Sequence, residues 1–237
     1  MSPNDIGRFV RNTSRAIFGG PLFVVQHGMR VSYMDRTTEE VERFAEPAPT
    51  VGTDSGADVQ LSIDGCGPLV CRTYSVDIDD AQLSANALLD RFVTRPDDFA
   101  PQHVAAFARG CRSATHLAVA DEFTIEIPGP WNGPVRVADL DDTSVSLVTL
   151  DGHMEAGHIR FQATDIGEHR LRFEVRSWAR AGDEFFEHLH MTLRLAREAQ
   201  TAMWVHTCDR AVEIADGKRS GPISVSTEIL IGSEIDC

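Results

Sequence analysis

The chain has 237 residues, 42% of them hydrophobic and 24% charged, which excludes a disordered or fibrous protein and supplies enough apolar side chain for a full core. A formal net charge of −14 argues against a nucleic-acid partner, because phosphate binding needs a concentrated cationic face. No apolar run approaches the ~20 residues of a membrane span and the N-terminus lacks a signal peptide's apolar region, so a cytoplasmic protein without a membrane span is expected.

In chain order, Ile6, Phe9, Val10, Thr13 and Ile17 recur at helical spacing and predict a short amphipathic helix ending at Gly19-Gly20. The stretch 21–34 is apolar and β-prone, and "TTEEVERFA" opens with a capping-box pattern, Thr37 to Glu40, which predicts a helix. From Glu46 to Pro68 the chain turns to Pro, Gly, Asp and Ser, as a linker or long loop does. A strand is expected over 69–78, a helix over 81–93 and, after Arg95-Pro96, a second helix over 101–110. Candidate strands follow at 116–127, 134–140, 144–150, 156–164 and 169–179, spaced so tightly that neighbours must be antiparallel. One long helix pattern runs from 183 to 217, with Phe186, Leu189, Leu193, Ala196, Gln200 and Met203 as its stripe. Cys66, Cys71, Cys111, Cys208 and Cys237 are odd in number and lack a C-x-x-C pair, so buried free thiols are expected.

This order of elements, with the words "GPWNGPVRV", "TLDGHMEAGHIRF" and "RFEVRSWARAGD", resembles the START-like or Bet v 1-like (SRPBCC) helix-grip superfamily, and within it an uncharacterised bacterial family of domains of unknown function. The resemblance implies an α+β helix-grip fold, a curved antiparallel sheet wrapped around a long C-terminal helix with a cavity between them. Its expected parts are an N-terminal extension and linker over 1–65, a ligand-binding domain over 66–217 and a strand-like tail over 218–237. The superfamily hosts lipid carriers, hormone receptors, polyketide aromatases and cyclases, and oxygenase domains, so fold does not choose among them. The implied partner is a medium-sized hydrophobic small molecule. Two further readings stay open, a non-catalytic carrier or sensor and an interaction protein with a filled core; a homodimer is also possible.

Alternation nominates the site. In 69–78 the inward set Val70, Arg72, Tyr74, Val76 and Ile78 carries an Arg and a Tyr, and in 116–127 the set Leu117, Val119, Asp121, Phe123, Ile125 and Ile127 carries one carboxylate. Pairing these two segments would set Arg72 against Asp121 with Tyr74 beside them, as a register-fixing ion pair or as the catalytic groups of a cofactor-free cyclase, aromatase or isomerase. Phe123, Trp131, Phe161, Phe173, Leu193, Gln200 and Trp204 are the expected pocket lining, with His153 and Glu155 as a rim pair. His153 belongs to the hairpin connection Asp151 to Ala156, while strand parity sends His158 to the face opposite Gly157, Ile159, Phe161 and Ala163. The two histidines diverge, and no metal is expected. Neither a Walker pattern nor a dinucleotide fingerprint is present, so no nucleotide cofactor is expected.

Overall fold

The computed structural model describes residues 33–49, 58–100, 106–109, 116–126, 132–182 and 194–235. The expected helix at 6–17, most of the β-prone stretch 21–34, Trp131, and the segment 183–193 with Phe186, Leu189 and Leu193 lie outside these residues.

The described chain forms β1 (Met34–Val41), β2 (Cys66–Asp79), α1 (Ala85–Thr94), β3 (Ala106–Arg109), β4 (Glu122–Glu126), β5 (Asn132–Leu140), β6 (Ser144–Thr149), β7 (Glu155–Gly167), β8 (Arg170–Ala181), α2 (Arg194–Ile214), β9 (Lys218–Arg219) and β10 (Ile223–Leu230). The strands make one sheet in the order β1-β10-β2-β8-β7-β6-β5-β4-β3, with β9 paired to β2. Neighbours are antiparallel except β1 and β10, which run parallel. This large curved open sheet with two helices is consistent with a helix-grip arrangement. Strands from 1–65, 66–217 and 218–237 all contribute to it.

Strand alternation produces the two faces. Tyr74, Val76 and Ile78 of β2 lie in register with Val175, Phe173 and Leu171 of β8, and Phe161 and Ala163 of β7 continue the same rows. These residues are fully or almost fully buried, as expected for side chains that share one pleat surface. α1 starts at Ser84, whose hydroxyl accepts a hydrogen bond from Ala87 N at 3.2 Å, and stops where Arg95 precedes Pro96. Its apolar residues Ala85, Leu88, Leu89, Phe92 and Val93 are spaced for one helical face and are buried. Phe92 stacks on Phe161 with ring centroids 4.4 Å apart, and Phe161 meets Trp204 of α2 edge-on at 5.5 Å. This aromatic cluster joins both helices to the sheet.

Four expectations need correction. Residues 34–41 are a strand, not the start of a helix: backbone pairing with β10 outweighs a capping-box pattern that has no apolar stripe behind it. Residues 106–109, expected within a helix, pair with β4 as an edge strand. The strand expected from 116 begins at Glu122, and Val119, placed inward by alternation, is exposed in the preceding turn. Cys71 and Cys208 are buried free thiols, but Cys66 is disulfide-bonded.

On the outer face, residues 42–49 lie against β7 and β8. The Glu46 carboxylate bridges Arg160 and Arg176, and the Glu46 carbonyl accepts a hydrogen bond from the Trp178 indole at 3.0 Å.

Candidate functional site

The turn between β6 and β7 places the first polar group. Gly152 adopts φ +86, and the His153 ring folds back so that Nδ1 accepts a hydrogen bond from Glu155 N at 2.9 Å. Gln60 clamps this connection from outside the sheet, donating to the carbonyls of His153 at 3.2 Å and Glu155 at 3.4 Å. Thr149 Oγ1 donates to Gln60 O at 2.7 Å and accepts from Gly157 N at 2.9 Å. The main-chain groups of His153 and Glu155 thereby gain partners, which lets both residues sit buried. The ring of His153 packs where a side chain at Gly133 would stand, 3.0 Å from an added Cβ.

Glu155, on the pleat parity of Gly157, Ile159 and Phe161, reaches the inner face. There it meets Arg72 and Gln200. Arg72 Nη1 lies 3.5 Å from Glu155 Oε1 and 3.3 Å from Gln200 Oε1, while Gln200 Nε2 donates to Glu155 Oε2 at 3.0 Å. One charge pair and one amide from β2, β7 and α2 therefore converge between sheet and helix. The side chains of Arg72 and Glu155 retain 17% and 12% exposure, whereas Phe161, Phe173 and Val175 farther along the same face retain none. The interior is sealed at its aromatic end and open to water at its polar end.

Two neighbours complete the cluster. Tyr74, one pleat repeat from Arg72, is buried, and burial holds its phenol above the ordinary tyrosine pKa despite the Arg72 charge and a hydrogen bond with Thr201. It is a neutral donor, not a base. Trp204 lies one helical turn beyond Gln200 on the same face of α2, and its buried indole Nε1 has no hydrogen-bond partner. Arg72 engages its own partners only through Nη1 among the described residues. The site thus holds a buried indole N–H without a partner and a guanidinium that uses only Nη1 on protein partners among the described residues.

No family model matches the chain, and no curated protein matches it. Among solved structures it is similar to the hypothetical protein jhp0584 from Helicobacter pylori, at 12% identity over 60% of this chain and 86% of that one, with a TM-score of 0.45. It is also similar to norcoclaurine synthase from Thalictrum flavum in complex with dopamine and hydroxybenzaldehyde, at 9% identity over 70% of this chain and 98% of that one, with a TM-score of 0.43. A third likeness is to the di-domain ARO/CYC StfQ from the steffimycin biosynthetic pathway, at 14% identity over 65% of this chain and 52% of that one, with a TM-score of 0.43. The residues, not these likenesses, carry the chemistry.

Of the residues nominated from sequence, Arg72, Tyr74, Glu155 and Gln200 come together, with Trp204 one helical turn from Gln200 and against Phe161. Asp121 does not. Strands β8, β7, β6 and β5 stand between β2 and β4, and Asp121 caps its own turn, accepting from Ala118 N at 2.9 Å. The expected Arg72–Asp121 pair is replaced by Arg72–Glu155. Phe161 and Phe173 are embedded in the aromatic core, and Phe123 is buried in β4 against Val135. His153 is buried behind Glu155 rather than on a rim, and burial holds its imidazole below the ordinary histidine pKa. Gln60 and Thr201 were missed. Gln60 sits in a Pro- and Gly-rich stretch with no periodicity, and Thr201 flanks the apolar stripe without standing out. Among the described residues no three His, Cys, Asp or Glu side chains group as metal ligands, and no helix is long and apolar enough to cross a membrane. A cavity of about 260 Å³ lies elsewhere, lined by Gln82, Ser84, Asp165 and His169 among others.

His158 occupies the outer face, buried, with neither ring nitrogen hydrogen-bonded. Desolvation lowers its pKa from 6.5 to about 4. The neutral form is the one the fold accepts, so its contribution is fully present above pH 6.5 and is lost as pH falls from there towards 4. The full loss is about 3 kcal/mol. Denaturant midpoints of wild type and His158→Phe at pH 7 and pH 4 check this. The wild type should fall further than the variant by most of that amount, and parallel falls would contradict it.

Proposed function

We propose that this protein binds a medium-sized apolar molecule bearing a carbonyl or anionic oxygen, held at the polar end of the space between sheet and α2. The observation that carries this reading is the pair of unused donors on the inner face, Trp204 Nε1–H and the remaining N–H groups of Arg72. The buried indole donor is costly unless something accepts from it, and the Arg72 groups, partly open to water, are available to the same acceptor. Glu155 and Gln200 fix the guanidinium, Tyr74 supplies a neutral hydroxyl, and the neighbouring apolar surface of Ile159, Ala179 and Met203 receives the body of the ligand.

In its catalytic form the function is a cofactor-free cyclisation, aromatisation or isomerisation of a polyketide-like or related metabolite. The interior would hold a flexible chain in a reactive shape. Arg72 would stabilise the enolate oxygen that develops, and Glu155, bonded on both oxygens but partly solvated, would take and return the proton. In its non-catalytic form the same site carries or senses the molecule, and Glu155 serves only to orient Arg72.

Binding and proton transfer are tested separately. Arg72→Met should weaken uptake of an anionic apolar fluorophore by about 10- to 150-fold, the 1.5–3 kcal/mol of a charged hydrogen bond, while uptake of a neutral apolar fluorophore changes little. Native mass spectrometry of the purified protein identifies any molecule that travels with it. With that molecule in hand, Glu155→Gln should keep binding and abolish turnover if the protein is an enzyme; binding without turnover in wild type assigns a carrier. Equal uptake of the anionic probe by wild type and Arg72→Met would remove the anchor and the proposal with it.

A further inference from the structure

The outer face carries a second recognition arrangement, and its occupant comes from the chain itself. Arg160 of β7 and Arg176 of β8 stand opposite each other in register, with their guanidinium carbons 5.4 Å and 5.9 Å from the ring centroid of Trp178. In a chain of net charge −14, two stacked arginines are an unusual concentration of positive charge. They converge on one carboxylate, that of Glu46, whose main-chain carbonyl is read by the Trp178 indole. Arg176 also pairs with Glu174 at 2.9 Å.

Two features separate this from ordinary packing. First, the hydrogen bonds that hold the segment 42–49 run through Glu46 among the described residues; the segment belongs to no ladder, and the Glu46 side chain is 38% exposed. Second, the occupant leaves buried polar groups of the site unmet. Arg160 Nε, Arg176 Nε and both ring nitrogens of the neighbouring His158 are buried without partners, and the two arginine side chains are only 17% exposed. A carboxylate and a carbonyl presented by a bent segment, Ala45-Glu46-Pro47, are what the site reads.

We propose that Arg160, Arg176 and Trp178 form a docking site for an acidic peptide segment, and that Glu46 occupies it as a resident stand-in which a partner's acidic segment displaces. The arginine pair selects the carboxylate, the indole fixes the main chain, and the single-residue anchoring makes the resident segment exchangeable. The site lies on the face opposite Arg72 and Glu155 and operates independently of whatever binds there.

The test uses the full chain and a fluorescein-labelled octapeptide of residues 42–49, ERFAEPAP, read by anisotropy. Glu46→Ala should bind it at least about tenfold more tightly than wild type, whose own Glu46 competes. A peptide with Gln at the position of Glu46 should bind Glu46→Ala about tenfold less well, and adding Arg160→Met and Arg176→Met should abolish binding. Glu46→Gln, which keeps the side-chain shape, should behave as Glu46→Ala does. Absent or equal binding by folded Glu46→Ala and wild type overturns the proposal. Failure of both Glu46 variants to fold also overturns it, because a segment whose release unfolds the sheet is a brace and not an exchangeable occupant.

Discussion

Gly157→Ala is expected to destabilise the protein by about 4 kcal/mol or more, the range reached when a substitution forces backbone apart. The residue adopts φ +150, and an added Cβ would stand 2.1 Å from Trp178 O and 2.9 Å from Ala179 Cα. Both are backbone atoms of β8, so no rotamer change relieves the overlap; β7 and β8 must separate. Gly157 N also closes the turn through Thr149 Oγ1 and Gln60 O, so the shift would carry Glu155 away from Arg72. Gly133→Ala is the control. Its Cβ would meet the His153 ring at 3.0 Å, a side chain with some freedom to move, and the loss should be about 1–2 kcal/mol. Urea denaturation of the two variants checks the ranking, and a Gly157→Ala midpoint within 1 kcal/mol of wild type would mean that the strands spread at little cost.

Phe161→Ala is expected to cost about 3–5 kcal/mol, the transfer free energy of the ring plus the cavity it leaves. Its ring is fully buried, stacked on Phe92 and edge-on to Trp204. The neighbours come from α1 and α2, whose own positions depend on the ring, so collapse around the void is limited. Phe161→Leu, which refills most of the space, should recover more than half of the loss. Denaturant unfolding measures both. An unchanged midpoint for the alanine variant would show that the ring faces a pocket and not a packed core.

Where a segment was half buried, its fold was legible from its sequence. β2, β7 and β8 alternate apolar with polar residues because one face of each meets the helices, and α1 shows its stripe for the same reason. β1 has no such signal. Its middle six residues are exposed on both faces, so nothing in Arg36-Thr37-Thr38-Glu39-Glu40 distinguishes a ladder partner from a polar helix start. β3 is four residues long at an edge, and its alanines read as helix until β4 is placed beside it.

The site was legible in its residues and not in its pairing. Arg72 and Tyr74 stood out as polar interruptions of an apolar face, and that parity holds. The choice of Asp121 as the partner assumed that β2 and the segment ending in β4 are neighbours, whereas strand order is a long-range property that local alternation does not encode. Parity did contain the correction. Gly157, Ile159, Phe161 and Ala163 were assigned inward, and extending the same count two residues back reaches Glu155.

The parallel pairing of β1 with β10 also fixes an order of events during synthesis. Met34 sits opposite Ile223, so about 190 residues of chain must emerge between the two partners, roughly 10–40 s of translation. Meanwhile β5 to β8 are joined by short turns and can zip as successive hairpins, with little loop entropy to overcome. The first strand of the described residues is therefore installed last, after a nascent meander already exists. Its run of Thr and Glu side chains suits a segment that waits in water for its partner, because a charged, apolar-poor strand offers other nascent chains a poor edge to join.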